Sequence, residues 1–247
     1  MFYVMGKYKI NFFHYSQSSI LVNWPQSISL DISFDINTFC KALNNDENII
    51  EFRKGYCSLL IQFNSENISY NRFRVYLINI YKNLKEINIV KPSVWEVPVC
   101  YDNSFSSDIK EYSKKISLSK HKIIQLHSSK IYYLHMYGFL PGFMYLGGLD
   151  SKLQIPRKNI PNRRVLKGSV AVGGSQTGIY PSDSPGGWYV IGNTPINLFD
   201  ASNLNQPVAI PDSNYVKFTP VSIEEYKLIK DEVKKSEYKF IKRKFDD

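Results

Sequence analysis

The sequence predicts an α+β protein in which a small N-terminal α/β sandwich is followed by a C-terminal β-barrel. Residues 8–84 predict the element order ββαββα, which is typical of helices packed on a sheet. After residue 138, helical periodicity gives way to short β-branched and aromatic runs. Residues 138–195 also hold eleven of the 13 glycines and six of the 12 prolines, which indicates closely spaced turns.

The boundary between the two domains is predicted where Lys91, Pro92 and Ser93 interrupt the pattern. This gives an N-terminal α+β domain of residues 1–91 and a barrel domain with a terminal helix, residues 92–247. In the first domain Asp35 is the predicted N-cap of the first helix. Its predicted strands are 8–13, 19–24, 49–53 and 58–63, and its predicted helices are 36–43 and 71–84.

The second domain is predicted to mix a few helices with many short strands. Ser222 and Glu225 stand at the spacing of a capping box, which predicts a terminal helix over 223–235 followed by a solvated tail. Segments 197–199 and 215–220 are predicted to close the sheet. The other predicted elements are strands 94–101 and 132–137 and helices 106–116 and 119–127, the latter with Ser119 as N-cap.

Composition excludes several classes of protein. No apolar run approaches the ~20 residues of a membrane span, and no signal peptide is evident, so we expect a cytoplasmic protein without membrane contact. Cys40, Cys57 and Cys100 are far apart and in no metal-ligand spacing, which favours buried thiols. The net charge of +9 is spread along the chain without a recognition motif, so nucleic acid is not expected as a partner.

The glycine-rich stretch offers little acid–base chemistry of its own. It contains no histidine, cysteine or glutamate, and its acids are Asp150 and Asp183, so we expect no metal site. His127 lies outside the stretch at the end of a predicted helix, where a capping or core role is favoured over a catalytic one. Neither a phosphate-binding loop nor a dinucleotide motif is present.

The stretch instead suggests a binding surface with a basic border. Arginine suits carboxylate or phosphate, and Arg157 is best placed because Pro156 fixes the chain before it, although a solvated basic loop is an equal alternative. The aromatics beside the turns predict either a groove wall or a core. The catalytic candidates are Arg157, Gln176 and His127, and the groove candidates are Phe139, Pro141, Gly142, Phe143, Tyr145, Arg157, Gln176, Thr177, Tyr180, Gly186, Gly187 and Trp188.

Several motifs resemble the allophanate-hydrolase-subunit-1 family, whose chains carry the carboxyltransferase domain, subdomain C and D. The motifs are GFLPGFMYLGGL, IPR, GSVAVGG, QTGIYPSDSPGGW and IGNTP, and the resemblance covers nearly the whole chain. The family includes the B subunit of bacterial ATP-dependent 5-oxoprolinase and a Kip-type inhibitor of a sporulation histidine kinase. It also includes one half of the carboxyltransferase region of urea carboxylase.

The resemblance implies a cyclophilin-like barrel and an enzyme subunit that is inactive alone. The complex would use ATP, bound by an undetermined chain, to open 5-oxo-L-proline to L-glutamate. Its implied partners are a carboxyltransferase-like C subunit and a LamB/YcsF-type A subunit. One alternative is an inhibitor that binds a sensor histidine kinase through aromatic anchor residues. The other is a non-catalytic half of a carboxyltransferase-type complex.

Several positions depart from the family pattern, among them Leu166 and the pair Ser213-Asn214, and two of the departures replace an arginine. Asn162 and Asn193 stand where the family has arginine. Since arginine commonly holds carboxylate or phosphate, these changes predict an altered anion site.

Overall fold

A computed structural model of the protein describes residues 8–84 and 92–245. The fold is mixed α/β, and the chain divides into two compact units, Met1–Val90 and Lys91–Asp247. Each unit has a hydrophobic core of its own. No helix in these described ranges has both the length and the apolar character needed to cross a membrane.

The first unit is an antiparallel four-stranded sheet with two helices. The sheet order is β1-β2-β4-β3. Burial alternates along β4, where Leu59, Ile61 and Phe63 point into a core that Phe39 and Phe73 of the helices complete. The elements are β1 (Asn11–Ser16), β2 (Ser19–Asn23), α1 (Leu30–Leu43), β3 (Ile49–Lys54), β4 (Ser58–Phe63) and α2 (Tyr70–Lys82).

The predicted start of the first helix is wrong. The α1 helix begins at Leu30, and its N-cap is Ser29, whose hydroxyl accepts a hydrogen bond from the Ile32 N–H at 3.1 Å. Asp35, the predicted cap, lies inside the helix and is buried. Its carboxylate accepts hydrogen bonds from Trp24 Nε1 and from the Tyr81 hydroxyl, each at 2.6 Å. An aspartate can cap a helix or accept hydrogen bonds inside a core, and tertiary contacts determine which of the two roles it takes.

The second unit contains one large sheet, a two-stranded sheet, three α-helices and a short 3-10 helix (Ser151–Leu153) among its described residues. Eight strands form the large sheet in the order β12-β9-β10-β7-β6-β13-β5-β14, and β11 pairs with β8 separately. The elements are β5 (Ser93–Val99), α3 (Ile109–Ile116), α4 (Lys120–Ser129), β6 (Ile131–Tyr137), β7 (Met144–Gly147), β8 (Asn162–Val165), β9 (Ser169–Gly173), β10 (Gln176–Ile179), β11 (Ser184–Gly186), β12 (Tyr189–Asn193), β13 (Tyr215–Pro220), α5 (Ile223–Lys234) and β14 (Lys242–Lys244).

The described strands form an open sheet rather than the predicted closed barrel. Strand β12 lies at one edge, and β14 occupies the other beside β5. One isolated bridge joins Asn193 to Cys100, with hydrogen bonds of 2.9 and 3.0 Å. The predicted closing segment 197–199 forms only a bridge between Phe199 and Val208, and β14 lies where a tail was predicted.

Two of the three predicted helix caps are confirmed. The Ser119 hydroxyl accepts from the Lys122 N–H at 3.2 Å, and Ser222 with Glu225 forms the predicted capping box of α5. The α3 helix begins at Ile109 rather than 106, and the Ser106 hydroxyl donates to the Asp102 carbonyl at 2.7 Å. Such local hydrogen bonds compete with helix formation.

Candidate functional site

Three neighbouring strands at one end of the large sheet, β12, β9 and β10, are buried on both faces. Val170, Val172 and Ile191 on one face belong to the large hydrophobic core of the second unit, which we call the main core. The other carries a second, smaller core, which we call the aromatic cluster. Its buried members are Phe143, Val165, Ala171, Tyr180, Trp188 and Val190, with Leu140 and Tyr145 packed against them. Because Val165 comes from β8, the small two-stranded sheet contributes to the burial of this face.

Phe143 is at the centre of the aromatic cluster. Its ring centroid lies 4.8 Å from Tyr145, 5.1 Å from Tyr180 and 5.5 Å from Trp188, each time in an edge-to-face arrangement. Edge-to-face pairs place a positive ring edge against a negative ring face, which adds to the gain from burying apolar area. The cluster is therefore a specifically packed core.

Two glycines make room for the Trp188 indole on the sheet surface. A Cβ atom on Gly173 would lie 2.6 Å from the indole, and one on Gly178 would lie 3.1 Å from it and 2.6 Å from the Met144 carbonyl oxygen. Any larger residue would lift the indole off the strands. The pair Gly173-Gly174 was predicted to be a turn, whereas Gly173 ends strand β9 and, with Gly178 of β10, forms a flat floor under the indole.

The predicted groove aromatics are mostly buried. Phe143, Tyr180 and Trp188 are only 1%, 1% and 4% exposed, so the core alternative describes them. Tyr145 is half-buried, and Phe139 has 61% of its surface exposed and a φ of 65°. It is the centre of a tight turn in which the Leu140 N–H donates to the Gly138 carbonyl at 2.8 Å.

The remaining groove candidates do not form one surface. Alternation along β10 places Gln176 on the face of the aromatic cluster and Thr177 on the face of the main core. Pro141 is exposed, and Gly142 packs against Phe199. Gly186 lies under the Tyr180 hydroxyl, and the Gly187 carbonyl accepts from the Lys158 N–H at 2.8 Å.

His127 lies in the main core with both ring nitrogens engaged. Its Nδ1 is 2.7 Å from the Tyr101 hydroxyl, and its Nε2 is 2.9 Å from Thr177 Oγ1. The Thr177 hydroxyl donates to the Ala171 carbonyl, so it accepts from an Nε2–H, and Nδ1 then accepts from Tyr101. The ring is fully buried, and burial lowers the pKa of His127 to about 3. This is a neutral core histidine.

A cleft of about 500 Å³ lies beside the aromatic cluster. Arg157 connects the two, because its guanidinium carbon is 5.7 Å from the centre of the Trp188 ring. The cleft is lined by Glu111, Lys115, Ile155, Pro156, Arg157, Lys158, Asn159, Ile160 and Tyr189. Within the described residues, no carboxylate lies at ion-pair distance from Arg157.

One wall of the cleft is a buried ion pair, which we call the Lys158 cluster. Lys158 Nζ lies 2.5 Å from Asp108 Oδ1 and 3.2 Å from Glu111 Oε2 and from Asn162 Oδ1. Asp108 Oδ2 accepts from Asn162 Nδ2 at 3.0 Å and from the Val190 N–H at 2.8 Å. Burial lowers the pKa of Lys158, but the hydrogen bonds and charges of Asp108 and Glu111 outweigh it and raise the pKa overall.

Sequence reasoning did not identify this cluster. Lys158 was only one lysine of a basic run, and Asp108 is 50 residues away, so no spacing rule connects them. The single available signal was the position of Asp108 at the end of the segment YDNSFSSD, in the first turn of the predicted helix 106–116. Arg164, from the same basic run, is a surface residue paired with Asp183 at 2.8 Å.

The two asparagines that depart from the family pattern both serve internal hydrogen bonds. Asn162 belongs to the Lys158 cluster. Asn193 is buried, donates to the Lys167 carbonyl at 2.9 Å and accepts from the Tyr226 hydroxyl at 2.8 Å. Neither side chain is presented as an open anion contact. In the part of the chain that the structure describes, no three His, Cys, Asp or Glu side chains converge as a metal site.

Comparison with known families identifies the class of this fold. The family described as carboxyltransferase domain, subdomain C and D, matches residues 10–210. The chain belongs to this family.

Individual relatives agree with this assignment. The chain is 34% identical to the 5-oxoprolinase B subunit of Haemophilus influenzae over 209 residues, 85% of this chain and 97% of that one. It is 39% identical to the 5-oxoprolinase B subunit of Bacillus subtilis over 143 residues, which span 58% of this chain and only 59% of that relative. The crystal structure of Kluyveromyces lactis urea carboxylase shares the fold, with a TM-score of 0.79 and 19% identity over 96% of this chain and 24% of that chain.

Replacing Gly178 by alanine tests the floor under the aromatic cluster. We expect Gly178→Ala to lower the free energy of unfolding by about 1–3 kcal/mol, because the added methyl group overpacks against Met144 and Trp188. Gly187→Ala is the matched control, since its nearest neighbour would be 3.7 Å away. Chemical denaturation measures both variants. Equal stabilities would contradict the proposed floor.

The buried histidine predicts a pH dependence of stability. Below pH ~6.5 the imidazole of His127 is protonated in the unfolded chain, whereas in the folded chain it stays neutral down to about pH 3. The free energy of unfolding therefore decreases as the pH is lowered. Between pH 6.5 and 5 this loss is about 2 kcal/mol for one group. We expect denaturant titrations at both pH values to show a smaller loss in His127→Gln. His121→Gln removes an exposed histidine from the same helix and should behave like the wild type.

Proposed function

We propose that this chain is the B subunit of a 5-oxoprolinase, a complex that hydrolyses 5-oxo-L-proline to L-glutamate with cleavage of ATP. The observation that carries the proposal is the match along nearly the full length of the Haemophilus influenzae B subunit. The cleft beside Arg157 supports it, because a cation without an ion-pair partner among the described residues is suited to the carboxylate of such a substrate.

The chain requires other subunits for this reaction. Hydrolysis of a lactam needs a base that can reach water, and His127 is sealed in the main core. Glu111, the acid of the cleft, is engaged by Lys158 at 3.2 Å and by Lys115 at 3.4 Å. We therefore propose that a carboxyltransferase-like C subunit and a LamB/YcsF-type A subunit complete the active site.

The described residues do not fit a magnesium-bound triphosphate. In the cleft, Lys115 and Lys158 are already paired with Glu111 or Asp108, which leaves Arg157 as the available cation of the described lining. The described chain also lacks a cluster of three acids, histidines or cysteines for a metal ion. We propose that another member of the complex holds ATP.

The alternative of a Kip-type kinase inhibitor receives less support. It required Phe139, Phe143, Tyr145 and Trp188 to grip a partner together, but Phe143 and Trp188 are at most 4% exposed. Of these four, Phe139 offers a prominent aromatic contact. The second alternative, a non-catalytic half of a carboxyltransferase-type complex, differs from the proposal in one testable respect, which is whether the chain is needed for turnover.

Reconstitution tests the proposed function. Co-expression of this chain with the A and C subunits should yield a complex in which ATP hydrolysis depends on added 5-oxo-L-proline and glutamate accumulates. A preparation from which this chain is omitted should be inactive. Activity without this chain would leave it a non-catalytic component, and a stable three-part complex without 5-oxoproline-dependent hydrolysis would contradict the proposal.

A further inference from the structure

We infer that the cleft beside Arg157 is a binding site for a small monocarboxylic acid, in which Arg157 contacts the carboxylate and Glu111 limits the charge that the site accepts. Three features of the cleft favour such a ligand: its balance of charges, the way Arg157 is held and the apolar residues beside it.

The balance of charges leaves one positive charge. Among the described residues, three cations line the cleft, namely Lys115, Arg157 and Lys158. They face two carboxylates, Glu111 in the lining and Asp108 directly behind Lys158. Because the two lysines are paired with these acids, the surplus charge resides on Arg157. One negative charge on a ligand would make the site neutral, and a second would meet Glu111 without a further cation to balance it.

Arg157 is held in place before any ligand binds. Its guanidinium lies over the Trp188 ring, and Pro156 fixes the backbone on one side. On the other side, Lys158 is anchored by its N–H to the Gly187 carbonyl and by its ammonium group to Asp108. A guanidinium that is already ordered loses less entropy when it forms two parallel hydrogen bonds to a carboxylate.

Three apolar residues lie next to Arg157 in the cleft. Ile155, Pro156 and Ile160 line the same cleft, and Asn159 adds an amide. A compact apolar body with a polar edge would lie against these residues while its carboxylate meets Arg157. The class of ligand is therefore a small acid with one carboxylate and a short carbon ring or chain. The identification of that acid with 5-oxo-L-proline rests on the proposed function.

Binding to the full isolated chain tests the site directly. Titration calorimetry with 5-oxo-L-proline and with 2-pyrrolidinone, the same lactam ring without the carboxylate, should show the acid binding at least about tenfold more tightly. Arg157→Ala should reduce the affinity for the acid to that for the lactam. Arg164→Ala removes an equal charge from a surface ion pair with Asp183 and should leave the affinity unchanged.

Glu111→Gln tests the limit on charge. Removing one carboxylate leaves a surplus of two positive charges, so binding of succinate relative to 5-oxo-L-proline should rise by about three- to tenfold. A merely structural role of Glu111 would change both ligands alike. An unchanged ratio would remove the assigned role of Glu111.

The two proposals can fail separately. Equal affinities for the acid and the lactam, or an Arg157→Ala variant that binds the acid as well as wild type, would overturn the carboxylate site even if the reconstituted complex is active. Arg157-dependent binding of the acid by a chain whose complex does not hydrolyse 5-oxo-L-proline would sustain the site and refute the proposed function.

Discussion

The buried ion pair between Lys158 and Asp108 is the constraint on which the cleft depends. It joins the residue before α3, the loop that carries Arg157, the start of β8 through Asn162 and strand β12 through the Val190 N–H. Two charges removed from water are costly unless each is fully hydrogen-bonded, and here both have several partners. The pair therefore holds the wall of the cleft from which Arg157 projects in a fixed position. Because Asp108 is paired with Lys158, Arg157 has no carboxylate partner among the described residues.

The large sheet separates residues that look like one site in the sequence. Thr177 and His127 lie in the main core, where a chain of hydrogen bonds holds the histidine neutral. Gln176 and Trp188 belong to the opposite face, where flat glycine backbone permits a packed aromatic cluster. On this second face, Arg157 is at the point where the aromatic cluster meets the cleft.

The sequence predicted those features that local chemistry determines. The order of elements in residues 8–84 and the capping box at Ser222 depend on neighbours in the chain, and both are confirmed. Asp35 was wrongly placed at a helix start because its real partners lie 11 and 46 residues away. Whether Phe143 belongs to a core or to a groove wall depends on the residues that pack over it, and part of this packing comes from β8. The hydrophobic periodicity of the sequence does not predict such packing between distant segments. The pairing of Lys158 with Asp108 could not be predicted either, because the two residues are 50 positions apart in the sequence.

A double-mutant cycle on Asp108 and Lys158 measures the central interaction. Free energies of unfolding would be compared for wild type, Asp108→Asn, Lys158→Met and the double variant. Each single variant leaves a buried charge without its main partner, so we expect the double variant to be more stable than the sum of the single effects by at least about 2 kcal/mol. Single effects that add to within about 0.5 kcal/mol would show that the two residues do not act as a pair, and the account of the cleft would fail.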